Sequence, residues 1–256
     1  MDTAAVSSFA GGRAAVFSAR SPDKASDNED VAALIPFDER RHVLAIADGM
    51  GGQPGGAVAA SLAVQALHES VETAKLNDAS LRDAILNGFE AANHAVASLG
   101  TGAATTLTVV GIQDETIRPY HVGDSLILLL GQRGRIKLQT VSHSPVGYAV
   151  ESGLLDQRDA MHHEDRHLVS NMVGSQEMRI EIGPTQKMNP RDTLVIASDG
   201  LFDNLHTNEI VEIARKGPLD RVMRDLAALS RSRMVEHQEG QPCKPDDLTF
   251  VVWRRR

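Results

Sequence analysis

Val43-Leu44-Ala45-Ile46-Ala47-Asp48-Gly49-Met50-Gly51-Gly52 is the segment from which the architecture can first be read. An apolar run of strand length ends in an acidic residue, and a glycine-rich loop follows it. Residues 57–71 are rich in alanine and leucine, which predicts a helix. The predicted order is therefore strand, aspartate, loop and helix, with one carboxylate at the end of a buried strand.

A later segment, Leu194-Val195-Ile196-Ala197-Ser198-Asp199-Gly200, repeats this pattern. Asp-Gly is a common turn dipeptide, so either aspartate alone is readily explained as a turn residue. Two strongly apolar strands that each end in Asp-Gly instead suggest a shared acidic site. Further acids at predicted strand edges extend the set: Glu29, Asp30, Asp124, Asp246 and Asp247.

The composition is that of a globular protein: 42% of the 256 residues are hydrophobic and the formal charge is −8. The negative charge argues against a nucleic-acid partner, because phosphate contacts need a basic face. A single cysteine, Cys243, fits a reducing compartment. No apolar run approaches membrane-spanning length and no leader pattern begins the chain, so we expect a cytoplasmic protein with no membrane partner. No repeat or linker divides the chain, which predicts one domain over residues 1–256.

Hydrophobic periodicity predicts strands and helices along most of the chain. We expect residues 1–11 to be frayed, helices at 57–71, 80–99, 207–216 and 219–234, and strands at 13–19, 31–35, 42–47, 105–110, 116–122, 125–130, 136–140, 193–197 and 247–253. The strands after residue 104 follow one another closely, which favours an antiparallel meander over a βαβ alternation. Residues 142–190 are polar and predict a long excursion from the sheet.

The acidic set predicts a metal-dependent chemistry. Carboxylates gathered in one cleft repel one another unless cations pair with them. Hard divalent ions such as Mg²⁺ and Mn²⁺ prefer oxygen ligands. Two such ions bridged by one carboxylate can clamp a phosphate and generate hydroxide from water at neutral pH. Such a site favours hydrolysis of a phosphate ester without a protein nucleophile.

Six motifs in order, between about residue 13 and residue 253, resemble those of the metal-dependent PPM (PP2C-type) protein serine/threonine phosphatases in their bacterial form. Each motif is weak alone, but the ordered set is specific. The motifs are Asn28-Glu29-Asp30, Asp48-Gly49-Met50-Gly51-Gly52, Ala104-Thr105-Thr106-Leu107, Gly123-Asp124-Ser125, Ser198-Asp199-Gly200-Leu201-Phe202-Asp203 and Asp246-Asp247-Leu248-Thr249.

The resemblance implies an α+β fold, a four-layer α-β-β-α sandwich with two central antiparallel sheets. It also implies Mn²⁺ or Mg²⁺, with two ions in the core site and a third in many bacterial members. The substrate would be a phosphorylated protein, attacked by a hydroxide that bridges the two metals, and the enzyme would oppose a serine/threonine kinase in signalling. Residues 142–183 would form a flap beside the active site.

The resemblance assigns roles residue by residue. Asp48 would bridge the two ions, the carbonyl of Gly49 would bind the first, and Asp199 and Asp246 would complete the second. The remaining assignments are Glu29 and Asp30 through metal-bound waters, Asp124 with Asp199 at the third ion, Thr106 near the site, and His167 as a candidate contact of the third ion or the substrate.

Three departures from the family pattern affect these expectations. The arginine that binds the substrate phosphate is replaced by Ala25, which leaves Lys24 and Arg20 as the basic candidates. An Asp-Asn pair is replaced by Asp246-Asp247, where we assign the metal to Asp246 by position. Met50 stands where eukaryotic members have a histidine, as in bacterial relatives.

Two alternatives remain open at this stage. Because the arginine position has changed, the chain could be a weakly active or inactive relative that binds a phosphoprotein without cleaving it. Residues 163–167 also spell H-E-x-x-H, the zincin signature, in which two histidines one helical turn apart bind zinc and the glutamate acts as base. A zincin helix needs an apolar face, and this stretch is charged, so we rank a metallopeptidase last.

Overall fold

The computed structural model describes residues 6–50 and 55–256. The strands are β1 (Val6–Phe9), β2 (Gly12–Ala19), β3 (Asp30–Pro36), β4 (Arg41–Met50), β5 (Ala104–Thr105), β6 (Leu107–Gln113), β7 (Thr116–Val122), β8 (Leu126–Leu130), β9 (Ile136–Gln139), β10 (Glu181–Ile182), β11 (Gln186–Lys187), β12 (Thr193–Ala197) and β13 (Leu248–Arg255). The helices are α1 (Gly55–Leu76), α2 (Leu81–Ala97), α3 (Pro145–Glu151), α4 (Gln157–Ala160), α5 (Asp199–Phe202), α6 (Thr207–Ala214) and α7 (Leu219–Val235), with a 3₁₀ helix at Glu164–His167.

Two antiparallel sheets form the centre of the molecule. The first has the strand order β1-β2-β13-β12-β8-β9. The second has the order β10-β7-β6-β4-β3, with β11 paired to β7 and β5 paired to β4. The antiparallel meander expected after residue 104 is therefore present, and its strands divide between the two sheets.

Three hydrophobic cores separate four layers. One lies between the second sheet and α1 and α2, and includes Ala45, Leu67 and Phe89. Another lies between the first sheet and α6 and α7, and includes Val195 and Leu226. The third lies between the two sheets and is built from side chains of both: Leu44, Ile46, Val110, Ile127, Leu194, Ile196, Val251 and Trp253. The α-β-β-α sandwich follows from this arrangement.

The strands β4 and β12 are buried on both faces, which explains their continuous apolar sequence. In β4, Val43, Ala45 and Ala47 face the helices, whereas Leu44 and Ile46 face the other sheet. Successive strand residues point to opposite faces, so Asp48 lies on the same side as Leu44 and Ile46. The strand pattern thus directs this carboxylate into the space between the sheets.

Some element boundaries differ from those expected. Residues 6–9 form β1, paired with β2, and are not frayed, whereas residues 1–5 lie outside the described ranges. β1 is an edge strand of its sheet, and its two central serines are exposed. The predicted strand 105–110 is interrupted at Thr106, and β4 continues through Asp48 to Met50. Ser80 is the N-cap of α2, since its hydroxyl accepts a hydrogen bond from the Asp83 amide at 3.0 Å. The glycine-rich loop predicted after Asp48 falls in part on residues 51–54, which lie outside the described ranges.

The segment from 142 to 183 contains α3, α4, the 3₁₀ helix and β10. It is attached to the sheet region by the Thr105–Val173 bridge and by a hydrogen bond from the His143 amide to the Gly123 carbonyl at 3.1 Å. Within residues 6–50 and 55–256, no helix combines the length and the apolar composition needed to cross a membrane.

Candidate functional site

The acidic site begins with two aspartates on neighbouring strands. Asp30 at the start of β3 is the cross-strand partner of Asp48 in β4. The backbone of Asp48 is fixed by the interruption between β5 and β6: its amide donates to the Thr106 hydroxyl at 2.9 Å, and its carbonyl accepts from the Thr106 amide and the Thr105 hydroxyl, both at 2.8 Å. Thr106 therefore acts as a backbone support for Asp48, and its side chain is fully buried.

A buried serine joins the two sheets at this end. The Ser198 hydroxyl donates to Oδ2 of Asp30 at 2.8 Å and accepts from the Thr249 amide at 3.1 Å. Ser198 directly follows β12 and precedes Asp199, the first residue of α5. This link places Asp199 of the first sheet beside Asp30 and Asp48 of the second.

Asp246 precedes β13, and its Oδ1 accepts a hydrogen bond from the Asp247 amide at 2.9 Å. Asp124 lies in the turn between β7 and β8. Gly123 before it has a φ of +110°, and a Cβ there would lie 2.5 Å from the Thr106 side chain, so glycine is required. Asp124 lines a cleft of about 340 Å³ together with Asp199 and Asp203. The structure thus brings the predicted aspartates to one end of the sandwich.

The electrostatics show that these carboxylates crowd one another. Burial raises the pKa of Asp48 well above its ordinary value, and the charges that raise it further are those of Asp30, Asp199, Asp124 and Asp246. Burial also raises the pKa of Asp30 to about 8 and that of Asp124 to about 8. For Asp246, burial and then the charge of Asp199 raise the pKa to about 7. Without cations the site resists full ionisation.

Lys244 was not predicted and is the cation nearest to three of these acids. Its ammonium contacts Asp199, lies 2.9 Å from Oδ2 of Asp203, and lies 3.4 Å from Oδ2 of Asp246. The sequence signal was slight, a lysine two residues before the Asp246-Asp247 pair. Asp203 ends the motif Ser198–Asp203, and the sequence gives no signal of its position beside Lys244.

The loop that contains Glu29 carries a second cation, Lys24. The Lys24 ammonium pairs with Glu29 and, at 2.8 Å, with Oδ2 of Asp247. Asp247 is 3% exposed and also accepts from the amides of Ser21 and Glu29, each at 2.8 Å. The acid that replaces the family's asparagine therefore anchors this loop to β13. Arg20 is exposed and donates to the Ala25 carbonyl at 3.3 Å.

Gly49 is held close to this loop, since its amide donates to the Glu29 carbonyl at 3.2 Å. A Cβ on Gly49 would lie 2.2 Å from the Gly56 carbonyl oxygen, and a Cβ on Gly56 would lie 2.5 Å from the Glu29 carboxylate. Glycine is thus needed at both positions because the start of α1 approaches the end of β4 closely.

His167 is not brought to the aspartates that would hold a third ion. It is exposed, its Nδ1 lies 2.8 Å from the Glu164 carbonyl, and it lines a different cleft with His163 and Lys244. The H-E-x-x-H stretch forms a 3₁₀ helix of four residues with His163 as its N-cap. The helix face that a zincin requires is therefore missing, and the metallopeptidase alternative is wrong.

Comparison with known proteins identifies the family. Residues 23–239 match the family model described as Protein phosphatase 2C. A putative 2C-type protein phosphatase of Streptococcus pyogenes is 30% identical, over 82% of this chain and 88% of its own length. The chain belongs to the protein phosphatase 2C family, and the resemblance drawn from the six motifs is confirmed.

Solved structures show the same architecture. The serine/threonine phosphatase of S. agalactiae is 26% identical with a TM-score of 0.79, and the match covers 95% of this chain and 99% of that one. The catalytic domain of the serine/threonine protein phosphatase PstP, in complex with 2 manganese ions, is 26% identical with a TM-score of 0.71, and the match covers 94% and 97%. The predicted fold class is confirmed.

Proposed function

We propose that this chain is a Mn²⁺- or Mg²⁺-dependent protein phosphatase that hydrolyses phosphoserine and phosphothreonine. The observation that carries the proposal is the convergence of Asp30, Asp48 and Asp199 from two sheets at one end of the inter-sheet core. Membership of the protein phosphatase 2C family supports the same reaction, since the similar S. agalactiae protein is described as a serine/threonine phosphatase.

The donor set fits hard divalent ions. Oδ1 of Asp30 and Oδ1 of Asp199 are buried and have no hydrogen-bond partner among the described residues. Buried carboxylate oxygens without partners are costly, and a cation would satisfy them. The residues that would hold the ions are Asp48, the Gly49 carbonyl, Asp199 and Asp246, with Glu29 and Asp30 acting through water and Asp124 at any third ion. When bound, such ions polarise phosphoryl oxygens and lower the pKa of water.

The chain's own residues prepare the site for this chemistry. Thr106 and Thr105 hold the Asp48 amide and carbonyl, so the backbone that carries its carboxylate is fixed before any ion binds. The Ser198 hydroxyl donates a hydrogen bond to Oδ2 of Asp30, whereas Oδ1 of Asp30 has no hydrogen-bond partner among the described residues and is available to a cation or its water. Lys24 and Arg20 are the cations at the edge of the site that can attract the substrate phosphate.

The substrate class follows from the family, and we propose a phosphorylated protein made by a serine/threonine kinase in the same cell. The cleft beside Asp124 and Asp199 contains both apolar and polar side chains, including Val146, Met161 and Arg166. An extended phosphopeptide could lie there with its phosphate at the aspartates. We expect no nucleic-acid or membrane partner, and we propose a cytoplasmic location and a flap role for residues 142–183.

The decisive experiment measures p-nitrophenyl phosphate hydrolysis with Mn²⁺, with Mg²⁺ and with EDTA, followed by phosphoserine and phosphothreonine peptides. We expect turnover that requires the metal and stops on chelation. Folded protein that binds a phosphopeptide but releases no phosphate at any Mn²⁺ concentration would instead establish the binding-only alternative.

A further inference from the structure

The Lys244 ammonium is surrounded by carboxylates. It contacts Asp199, and oxygens of Asp203 and Asp246 lie 2.9 and 3.4 Å away. A lysine ammonium has three N–H donors and no acceptor, so three carboxylates match its hydrogen-bonding capacity. The Lys244 side chain is only 16% exposed, which makes this a partly buried ion cluster and not a surface pair.

The position of Lys244 is fixed by its backbone. The Lys244 amide donates to Oδ1 of Asn204 at 2.8 Å, and the Lys244 carbonyl accepts from Nδ2 of the same residue at 2.8 Å. Asn204 is fully buried and also donates to the Gly200 carbonyl at 2.9 Å, in the helix that begins with Asp199. Pro245 further restricts Lys244 to extended backbone conformations. The lysine is therefore anchored to the element that carries its partners.

The electrostatics agree with a permanent positive charge. Burial alone would lower the pKa of Lys244, but the charges of Asp199, Asp203 and Asp246 outweigh it and raise the pKa above its ordinary value. In turn, Lys244 opposes the rise in the pKa of Asp124 that burial and Asp199 cause. The ammonium thus acts on the same aspartates that the family resemblance assigns to a third ion.

We propose that Lys244 is a tethered cation that takes the place of an additional divalent ion on the Asp124–Asp199–Asp203 side of the site. The inference rests on the proposed metal site and concerns how many ions it accepts. A lysine ammonium is a compact point charge, close in role to a hard cation but without ligand exchange. This chain therefore fills that side of the site with its own side chain, which uses Oδ2 of Asp199 and Oδ2 of Asp246. Asp48 and Oδ1 of Asp199, which has no hydrogen-bond partner among the described residues, are left for exchangeable ions.

The test is a calorimetric Mn²⁺ titration of metal-free wild-type protein, Lys244→Met, Lys244→Arg and the control Lys187→Met. Lys187 is 72% exposed and pairs only loosely with Glu115. We expect Lys244→Met to bind one more Mn²⁺ equivalent than the wild type. Lys244→Arg and Lys187→Met should bind the same number of Mn²⁺ ions as the wild type. The same number of ions with the same affinities in Lys244→Met and wild type would overturn the inference.

Thermal unfolding gives a second measurement that does not depend on activity. Without metal, Lys244→Met should melt below the wild type, because three acids lose their cation. Mn²⁺ should raise its melting temperature more than that of the wild type, since one more ion binds the folded state. If Lys244→Met is unfolded without metal, Mn²⁺ should refold it, and unfolding that Mn²⁺ does not reverse would contradict the proposal. Failure of the phosphatase assay in wild type is a separate result, which refutes the proposed function.

Discussion

The two sheets each contribute an apolar strand that runs into Asp-Gly, but the carboxylates they deliver have different surroundings. On the second sheet, burial and neighbouring negative charges all raise the pKa of Asp48. On the first sheet, Asp199 shares the ammonium of Lys244 with Asp203 and Asp246. The same local pattern, an apolar strand followed by Asp-Gly, therefore gives one acid without a paired cation, Asp48, and one with such a partner, Asp199. The difference depends on Lys244, which is 45 residues away from Asp199.

The largest expected effect is that of Asp48→Asn. It should lower Mn²⁺-dependent turnover by at least about 10³-fold, about 4 kcal/mol of barrier, because the carboxylate that we propose is shared by the two ions is lost. The metal-free variant should melt at or above the wild-type temperature, since a buried charge with a raised pKa has been removed. Steady-state kinetics and thermal unfolding check both parts.

Asp38→Asn provides the control for this variant, because Asp38 pairs with Arg41 on the surface. It should keep full activity. Wild-type rates in Asp48→Asn would contradict the shared-site model.

Asp199→Asn should also lower turnover, by about 10²-fold or more, but its effect on stability should have the opposite sign. Lys244 would lose its closest partner, so the metal-free variant should be destabilised by about 2 kcal/mol. Chemical denaturation in EDTA measures this difference. Equal stability changes in Asp48→Asn and Asp199→Asn would remove the contrast between the two sheets.

The strand-borne part of the site was predictable because it depends on local patterns. β4 and β12 are buried on both faces, so their apolar runs are long and the aspartates that end them stand out. The edge strand β1 was missed because Ser7 and Ser8 are exposed there and give no hydrophobic signal.

The parts that depend on distant contacts were not predictable. Asn204 holds the Lys244 backbone next to the helix that begins with Asp199, and no sequence pattern records that contact. Asp247 was recognised as a departure from the family, but its function as an anchor for the Lys24 loop required the structure. The zincin motif shows the converse, since the spacing of His163 and His167 carries no information when the segment is not an α-helix.

The buried histidine His121 shows the opposite shift, because burial lowers the pKa of a histidine where it raises that of an aspartate. Burial, then the neighbouring His143, lowers the pKa of His121 to about 4. The two rings stack with centroids 4.3 Å apart. The His121 Nε2 lies 2.9 Å from the Val141 carbonyl, and Glu181 pairs with His143 at 3.0 Å. His143 Nδ1 accepts from the Gly123 amide, so its proton is on Nε2 and points to Glu181.

The sign of the pH effect follows from this shift. The unfolded chain protonates His121 near pH 6.5, whereas the folded chain does so only near pH 4, so the free energy of unfolding falls as pH falls through that window. Between pH 7 and 5 the loss should be about 2 kcal/mol. Urea denaturation of wild type and His121→Phe at both pH values checks it, because the variant lacks the imidazole whose pKa burial lowers. If the free energy of unfolding depended on pH identically in wild type and His121→Phe, folding would not lower the pKa of His121, and the prediction would be wrong.

The smallest effect concerns substrate capture at the edge of the site. Lys24 is the cation tied to the Asp247 anchor, and Arg20 lies exposed on the same loop. Lys24→Met should raise KM for a phosphopeptide by about tenfold, about 1.4 kcal/mol, with a smaller change in kcat. Arg20→Met should raise KM less, because its guanidinium is engaged with backbone carbonyls.

Lys24→Arg separates phosphate binding from the anchoring of the loop. It keeps the charge near Glu29 and Asp247 and should restore KM, whereas a loss caused only by loop disorder would appear as a lower melting temperature with KM and kcat both changed. Unchanged KM in both Lys24→Met and Arg20→Met would mean that the metals alone hold the phosphate. In that case Lys24 and Lys244 would have the same function, since both would neutralise acids and neither would bind substrate.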